Sequence, residues 1–311
     1  MDEYGFSPER VTLENLDELS RQMSLVSEAR GYEIADIAMA AADFTRLMLA
    51  DGMDVADALS VISEELSFGD YPEAEGIPDG AGGGAVLLPV LDRAALVRSY
   101  ASFMADGGKP LTEADFLGGG EVGERYAYVR NQFSDEAYDV FAAACTDPRV
   151  KYYPSFKECI TALSEGDADR ILFPLEERGG VRLPTVAELI LRYDLKINSI
   201  TPVFGIGADA DLKYAELSRY FTASPRGEDD DGYLELRAPL GAGVSELLTV
   251  AELYGMSVYR LSTHTVSGED DTQSYVSVVL REGEEGIVGL LLYLSLFGGD
   301  TVPVGVYKNL E

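Results

Sequence analysis

Three polar side chains stand at the start of a predicted helix or just after a predicted strand. Ser134 and Ser155 each open a predicted helix, and Glu176 follows the short apolar run Ile171–Phe173. Open α/β lobes bind ligands beyond the carboxyl ends of their strands. The sequence therefore predicts a ligand site at that edge of the sheet.

The stretch around these residues alternates capped helices with short apolar runs. Ser134 and Ser155 are predicted N-caps, Pro148 and Gly166 end the two helices, and Pro174 is expected to halt the strand before it. This alternation predicts a mixed sheet flanked by helices. Its strands are expected near Tyr126–Val129, Val150–Tyr153, Arg170–Phe173, Ile197–Val203 and Tyr214–Tyr220.

The C-terminal part of the chain has the element order βαββαβ, which is the ferredoxin-like plan of one sheet covered by two helices. Fold alone names no function. Four strands and two helices are predicted, in chain order Tyr233–Ala238, helix Val244–Tyr254, Val258–Thr265, Tyr275–Leu280, helix Glu284–Phe297 and Val302–Tyr307.

The second of these helices is apolar around much of its circumference. Leu290, Leu291, Leu292 and Leu294 follow one another almost without interruption, which is more apolar surface than one sheet face can cover. Edge strands and apolar faces of such domains commonly pair with a second copy. We therefore predict a homodimer whose main contact lies in residues 233–311.

The central stretch resembles the first lobe of the prephenate dehydratase family. The likeness rests on Phe133-Ser134, on Ser155-Phe156, on Gly166-Asp167-Ala168-Asp169 before a strand, and on Pro174-Leu175-Glu176 after it. The segment Val181–Tyr193 resembles the helix that follows in the family. The resemblance covers about a third of the chain and implies a periplasmic-binding-protein-like α/β lobe.

The resemblance implies a reaction that expels hydroxide and carbon dioxide from prephenate, which takes a proton donor and cationic groups for two carboxylates. The family's donor is the threonine of a Thr-Arg-Phe motif, but the matching strand here reads Leu212–Leu217 without it. If activity survives, Lys213 would bind an anion, Tyr214 would be the acid, and Arg178 would offset Glu177 beside the substrate. The substrate-binding residues that the resemblance implies are Ser134, Ser155, Glu176 and Arg178. We predict no appreciable prephenate dehydratase activity.

The second lobe of that family is predicted to be missing. The family places roughly a hundred residues of α/β structure before the Thr-Arg-Phe strand, and here only residues 205–211 stand at that point. A single lobe cannot close over a substrate and exclude water.

A βαββαβ segment after such a lobe resembles an ACT domain, the amino-acid sensing module of the family. The family binds phenylalanine through a Gly-Ala-Leu turn and a Glu-Ser-Arg-Pro run, which here read Gly241-Ala242-Gly243-Val244 and Leu261-Ser262-Thr263-His264. Exposed amides in the first turn could take a carboxylate, whereas a lone histidine in a strand is more often an ordinary packed residue. The effector-binding residues implied are Gly241, Ala242, Val244, Ser262, Thr263 and His264.

The amino-acid composition limits the classes of molecule that the protein is expected to bind. The 311 residues include 24 basic and 55 acidic ones, giving a net charge of −31 and a pI near 4.2. Nucleic acids and anionic membrane surfaces are therefore excluded as partners. Residues 120–226 hold 13 basic and 17 acidic residues, so an organic anion or amino acid would meet the least repulsion there. The acidity also suits a high-salt cytoplasm. No cofactor and no metal site are predicted.

Cys145 and Cys159 fall on predicted apolar helix faces, which favours reduced core cysteines over a disulfide or a catalytic thiol. The start Met1-Asp2-Glu3 has no basic signal-peptide region, and no apolar run is long enough to span a membrane. We expect a cytoplasmic protein.

The N-terminal third differs in pattern. Apolar residues recur at helical spacing in two stretches between Leu13 and Leu47, and a third helix is expected from Asp54. A strand is expected at Val86–Val90 and a helix capped by Asp92. The arrangement resembles fused chorismate mutase–prephenate dehydratase enzymes, but the few basic residues favour a packing domain. The predicted organisation is an α+β / α/β multidomain chain: helical residues 1–66, linker 67–84, α/β lobe 85–226 and ACT-like domain 231–311.

Three functions remain open from the sequence. The first is a catalytically degenerate relative of prephenate dehydratase in aromatic amino-acid biosynthesis, kept as a ligand-binding or regulatory protein. The second is a divergent active dehydratase. The third is a non-catalytic dimerisation or partner module without a ligand site.

Overall fold

The computed structural model describes residues 13–68, 89–117, 122–177, 180–204, 211–222, 232–241, 243–267, 272–283 and 286–308. The helices in these ranges are α1 (Leu13–Ala50), α2 (Val55–Phe68), α3 (Val90–Asp106), α4 (Ala114–Leu117), α5 (Gln132–Ala142), α6 (Phe156–Glu165), α7 (Pro184–Arg192), α8 (Gly243–Leu253) and α9 (Val288–Phe297). The strands are β1 (Arg125–Tyr128), β2 (Arg149–Tyr152), β3 (Arg170–Glu177), β4 (Val181–Arg182), β5 (Lys196–Phe204), β6 (Asp211–Ser218), β7 (Gly232–Pro239), β8 (Ser257–Ser267), β9 (Thr272–Arg281) and β10 (Val302–Lys308).

The described residues form two compact units. The first contains α1 and α3, which pack together. Thr45 is fully buried there, and its hydroxyl shares a hydrogen bond of 2.7 Å with the hydroxyl of Tyr100. Arg46 donates to the Phe103 carbonyl at 2.8 Å. Thr45 and Arg46 therefore contribute to the packing of α1 against α3.

The sequence prediction for this region was wrong in two places. The two helical stretches between Leu13 and Leu47 form one continuous helix, α1, because an interior glycine such as Gly31 weakens a helix by only about 1 kcal/mol and does not end it. Val90 begins α3 instead of ending a strand, and Pro89 rather than Asp92 occupies the N-cap. Residues 86–88 lie outside the described part.

The second unit is built on one mixed sheet. Its strand order is β2-β1-β3-β6-β5-β10-β7-β9-β8, and β4 pairs with β3. Strands β1, β2 and β3 are parallel, whereas β3, β6 and β5 pair antiparallel. Helix α5 lies in a cluster with Tyr126 and Tyr214, and α6 and α7 lie in another with Phe173 and Leu217. The predicted mixed α/β class with a helical N-terminal region is confirmed.

Strands β7 to β10 follow the ferredoxin-like plan. Their order, β10-β7-β9-β8, is antiparallel throughout, and α8 and α9 lie between the strands in the chain. This half is joined to the rest of the sheet where Gly305 of β10 pairs parallel with Ile197 of β5. The two halves thus share one continuous sheet.

Local signals around β3 and α5 were partly misread. Pro174 does not halt β3, because pairing with β1 has ended at Leu172 and a bulge in the β3–β6 ladder beyond Pro174 accommodates the missing N–H. Ser134 is not the N-cap of α5. Asn131 is, and Ser134 completes its capping box.

The segment Val181–Tyr193 is not wholly helical. Its first two residues form β4, and α7 begins at Pro184, whose fixed φ suits the first helical turn. Ser155 caps α6 and Gly166 ends it with φ of +78°, both as predicted.

Helix α9 is buried on nearly all sides within the chain itself. Leu290, Leu291 and Leu292 are at most 2% exposed. Helices α2 and α4 pack against α9, and the Ser63 hydroxyl donates to the Leu296 carbonyl at 2.8 Å. The apolar circumference that suggested a dimer contact is therefore satisfied by a helix from the N-terminal region.

Candidate functional site

A cluster of charged side chains surrounds the end of β3. The Glu176 carboxylate, which is almost fully buried, pairs with Arg260 of β8 and lies 3.8 Å from the Lys213 ammonium of β6. Nη2 of Arg182 on β4 lies 3.9 Å from the same carboxylate. Because Arg182 also pairs with the Glu235 carboxylate, the three cations face two carboxylates, which leaves one positive charge in excess. In a chain of net charge −31, this is a position where an organic anion is electrostatically acceptable.

Arg260 also connects the two halves of the sheet. It sits on β8, and besides its ion pair with Glu176 its Nη1 donates to the Gly180 carbonyl at 3.1 Å. Gly180, which precedes β4, is thus held by a side chain of the ferredoxin-like half. Arg178 lies outside the described residues.

A second buried carboxylate lies next to this cluster. Glu235 of β7 forms a two-point pair with Arg182, with 2.7 Å between Nη2 and Oε2. The hydroxyls of Ser277 and Tyr307 donate to it at 2.8 and 3.1 Å. Burial alone raises the pKa of Glu235, but the charge and hydrogen bonds of Arg182, together with Ser277, outweigh burial and hold it below its ordinary value.

A matching pair lies in the parallel half. Glu216 of β6 accepts from Arg170 at 2.7 Å and from the Tyr126 hydroxyl at 3.0 Å. Burial raises the pKa of Glu216, and Arg170 and Tyr126 oppose that rise only in part. The Tyr126 hydroxyl also lies 3.2 Å from the Cys145 sulfur.

The cysteines are both free. Burial raises the pKa of the Cys159 thiol to about 12, which keeps it protonated and unreactive at neutral pH.

Lys213 and Tyr214 point to opposite faces of β6, because successive residues of a strand alternate. Lys213 joins the Glu176 cluster, whereas the Tyr214 hydroxyl lies 3.4 Å from the Asn131 amide oxygen. Burial raises the pKa of Tyr214, and the hydrogen bond to Asn131 offsets this only partly. A tyrosine less acidic than usual is a poor proton donor near neutral pH.

The two serines proposed to bind substrate are engaged in helix caps. Ser134 is fully buried, accepts from the Asn131 amide at 2.8 Å and lies 3.0 Å from the Val129 carbonyl. The Ser155 hydroxyl caps α6 by accepting from the Glu158 amide at 3.3 Å. Of the substrate-binding candidates in the described ranges, Glu176 is the one that meets Lys213.

The effector candidates lie at one end of the ferredoxin-like half. Register aligns Pro239, Tyr275 and His264 on β7, β9 and β8, so the turn after β7 and the β8 segment share that end. Gly241 is exposed and Val244 half-buried, with the Val244 amide donating to the Gly241 carbonyl at 3.3 Å. Ala242 is outside the described residues.

His264 faces inward with Ser262, and Thr263 faces solvent. The His264 Nε2 lies 3.0 Å from the Ser262 hydroxyl, and its ring stacks on Tyr275 at 5.2 Å. Burial, followed by the charge of Arg182, lowers the pKa of His264. The imidazole is therefore neutral at pH 7 and could donate or accept one hydrogen bond.

Sequence reasoning missed Arg182, Glu235 and Arg260. Glu235 carried a detectable signal, since it stands between Leu234 and Leu236 in a predicted strand. Its partner, 53 positions away in the chain, carried none.

The chain is similar to several solved structures. One is the prephenate dehydratase from Streptococcus mutans, with 14% identity, a TM-score of 0.48, and 61% of this chain and 100% of that chain covered. Another is described as GqqA, a novel type of quorum quenching acylase, with 20% identity, a TM-score of 0.44 and coverage of 61% and 96%. A third is the prephenate dehydratase from Arthrobacter aurescens in complex with L-Phe, with 13% identity, a TM-score of 0.43 and coverage of 59% and 89%.

No protein-family model matches the sequence, and no curated protein matches it. In the described part of the chain, no helix is both long enough and apolar enough to cross a membrane.

Proposed function

We propose that this protein is a catalytically degenerate relative of the prephenate dehydratases that acts as a ligand-binding or regulatory protein. The β5–β6 hairpin is the observation that carries the proposal. These strands pair from Lys196↔Ser218 to Phe204↔Asp211, and only residues 205–210 connect them. Six residues cannot form the second lobe that would close over prephenate and exclude water.

The placement of the predicted catalytic groups supports the same proposal. Lys213 and Tyr214 face opposite sides of β6. The proton donor and the cation that binds a carboxylate must contact the same substrate molecule, and these two side chains cannot do so. The raised pKa of Tyr214 further weakens it as an acid.

The ligand we propose is a small organic anion or an amino acid. Its carboxylate would meet the cations around Glu176, with Lys213 as the most accessible of them. An effector amino acid would instead use the amides of Gly241, Ala242 and Val244 together with Ser262, Thr263 and His264, as in an ACT domain. The shared end of β7, β8 and β9 supports this second placement.

We also propose a homodimer formed by residues 233–311. Because α9 is covered by α2 and α4, the support comes from β8, the last strand in the order of the described sheet. Val258, Tyr259 and Leu261 of this strand are 49%, 52% and 45% exposed, and an apolar edge is open to pairing with a second copy. The acidic surface disfavours nucleic acids and membranes, and two free cysteines suit the cytoplasm.

Direct assay decides between the functions. The protein should not convert prephenate to phenylpyruvate. Calorimetry should detect binding of phenylalanine, tyrosine, tryptophan or a related acid. Turnover that Lys213→Met or Tyr214→Phe abolishes would establish a divergent active dehydratase instead. No turnover and no binding would leave a dimerisation or partner module.

The dimer is tested separately by light scattering on the full chain and on a variant with Tyr259→Lys and Leu261→Lys. The full chain should be dimeric at micromolar concentration and the variant monomeric. A monomeric full chain would refute the dimer without touching the ligand proposal.

A further inference from the structure

We propose a second ligand site, for a small organic amine with an apolar portion, in the cavity between α2, α4 and α9. The cavity has a volume of about 310 Å³, which is at the lower end of the range of about 300–1,000 Å³ typical of small-molecule sites. It shares no residue with the Glu176 cluster and does not depend on the function proposed above.

The lining combines an apolar floor with oxygen acceptors. Leu59, which is 2% exposed, and Phe116 supply apolar surface, and Ala56 adds a methyl group. The polar lining consists of the hydroxyls of Ser60, Ser63 and Ser295 and the carboxylates of Glu64 and Asp115. None of the lining residues that the structure describes is a lysine or an arginine.

The polar groups are arranged to accept hydrogen bonds. The hydroxyl of Ser295 donates to the Leu291 carbonyl at 3.0 Å, so its oxygen lone pairs can act as acceptors. The Ser63 hydroxyl donates to the Leu296 carbonyl at 2.8 Å. Oδ2 of Asp115 accepts hydrogen bonds from the amide and the hydroxyl of Thr112, at 2.6 and 2.7 Å.

Glu64 has no hydrogen bond or ion pair within the described part of the chain. Two carboxylates and the hydroxyls of Ser60 and Ser295, with no lysine or arginine in the described lining, match a ligand with several donors and a positive charge. An ammonium group has three donors and no acceptor, which matches this set. The apolar floor would take an aliphatic or aromatic tail.

The occurrence of Ser295 in α9 supports the site. The helix reads Val-Gly-Leu-Leu-Leu-Tyr-Leu-Ser-Leu-Phe, and its leucines are buried while Ser295 is exposed at the cavity. A hydroxyl here keeps the otherwise apolar wall able to accept a hydrogen bond.

Calorimetry with pentylamine tests the proposal, with 1-pentanol as an uncharged ligand of the same length. Ionic strength should be held near roughly 0.3 M, so that general attraction to the acidic chain is screened. We expect saturable binding of pentylamine and binding of pentanol at least roughly fivefold weaker. Glu64→Gln should weaken pentylamine roughly three- to fivefold.

Glu65→Gln is the matched control, because Glu65 is the exposed neighbour on α2 and does not line the cavity. It should leave the affinity unchanged, whereas Ser60→Leu should abolish binding by filling the cavity. Unfolding temperatures identify any variant that has lost its fold. Equal weakening by Glu64→Gln and Glu65→Gln, equal binding of pentanol, or no saturation would each overturn the proposal.

Discussion

Two buried glutamates, one in each half of the sheet, have pKa values that are shifted in opposite directions. Glu216 and Glu235 are 2% and 1% exposed, and each faces an arginine. The pKa of Glu216 is raised and that of Glu235 is lowered. The difference lies in the partners, since Glu216 accepts from Arg170 and Tyr126, whereas Glu235 has a two-point pair plus two hydroxyls.

The comparison teaches that burial alone does not set the charge of a carboxylate. Each hydrogen bond to the ionised form offsets part of the desolvation penalty. In the ferredoxin-like half the offset is complete, and the ionised Glu235 holds β7 against β4, β9 and β10. At Glu216 the hydrogen bonds from Arg170 and Tyr126 offset the desolvation penalty only in part, so the pKa of this carboxyl group stays raised.

The largest expected effect is on the Glu235 pair. Glu235→Gln leaves the Arg182 charge buried, and we expect a loss of about 3–5 kcal/mol in the free energy of unfolding. Glu216→Gln should lower the free energy of unfolding by about 1–3 kcal/mol. The loss is smaller because Arg170 is partly exposed and still donates a hydrogen bond of 2.9 Å to the Gly123 carbonyl. Urea unfolding at pH 7 measures both.

Glu188→Gln is the control for both variants. Glu188 forms an exposed pair with Arg192, so its replacement should change the free energy of unfolding by less than about 0.5 kcal/mol. A Glu216→Gln loss larger than that of Glu235→Gln would contradict the ranking of the two pairs.

The next largest effect is expected at Arg260, which links the two halves of the sheet. Arg260→Gln removes an ion pair with Glu176 and the bond to the Gly180 carbonyl, and should cost about 1.5–3 kcal/mol. Lys213 and Arg182 remain near Glu176, so the loss should be smaller than for Glu235→Gln. Hydrogen exchange at residues 180–182 should rise; unchanged exchange there would mean that Arg260 does not hold the loop.

The pH dependence of the two glutamates should have opposite signs. The raised pKa of Glu216 means that its contribution to stability grows as pH falls from neutrality towards the unfolded value of about 4.3. The lowered pKa of Glu235 means that its contribution is full above about 4.3 and is lost as pH falls below it. Each unit of pKa shift corresponds to about 1.4 kcal/mol.

Unfolding of the wild type and each Gln variant from pH 7 to pH 3 measures these contributions as differences. The wild-type advantage over Glu216→Gln should widen on acidification, and the advantage over Glu235→Gln should shrink. Slopes of the same sign would refute the comparison.

The smallest effect is expected on the Asn131 side of β6. Tyr214→Phe removes one long hydrogen bond of 3.4 Å, and we expect a loss below about 1 kcal/mol in the free energy of unfolding. Tyr214→Ala, which also empties the packing against Tyr126 and Leu172, should cost about 3–5 kcal/mol. If Tyr214→Phe costs as much as Tyr214→Ala, the hydroxyl matters more than its geometry indicates.

Much of the secondary structure could be read from local patterns. The cap at Ser155, the left-handed glycine at Gly166 and the βαββαβ order all depend on neighbouring residues and on apolar spacing. The misread positions also have local explanations. Asn131 and Ser134 are both good capping residues three positions apart, and either could have been the N-cap.

The candidate site could be predicted only in fragments. Glu176 and Lys213 were each singled out, but their approach across the β3–β6 ladder depends on strand register. Lys213 and Tyr214 were grouped as catalytic because their strand stands where the resemblance places the family's Thr-Arg-Phe motif. Adjacency in a strand places side chains on opposite faces.

The sequence by itself determined most of the helices and strands and the acidic charge, because caps and apolar periodicity act over short distances. The tertiary structure alone decided that the two halves form one sheet, that α2 covers α9, and that Arg182 meets Glu235. These contacts join residues far apart in the chain, and a buried charge carries no local mark of the partner that will neutralise it.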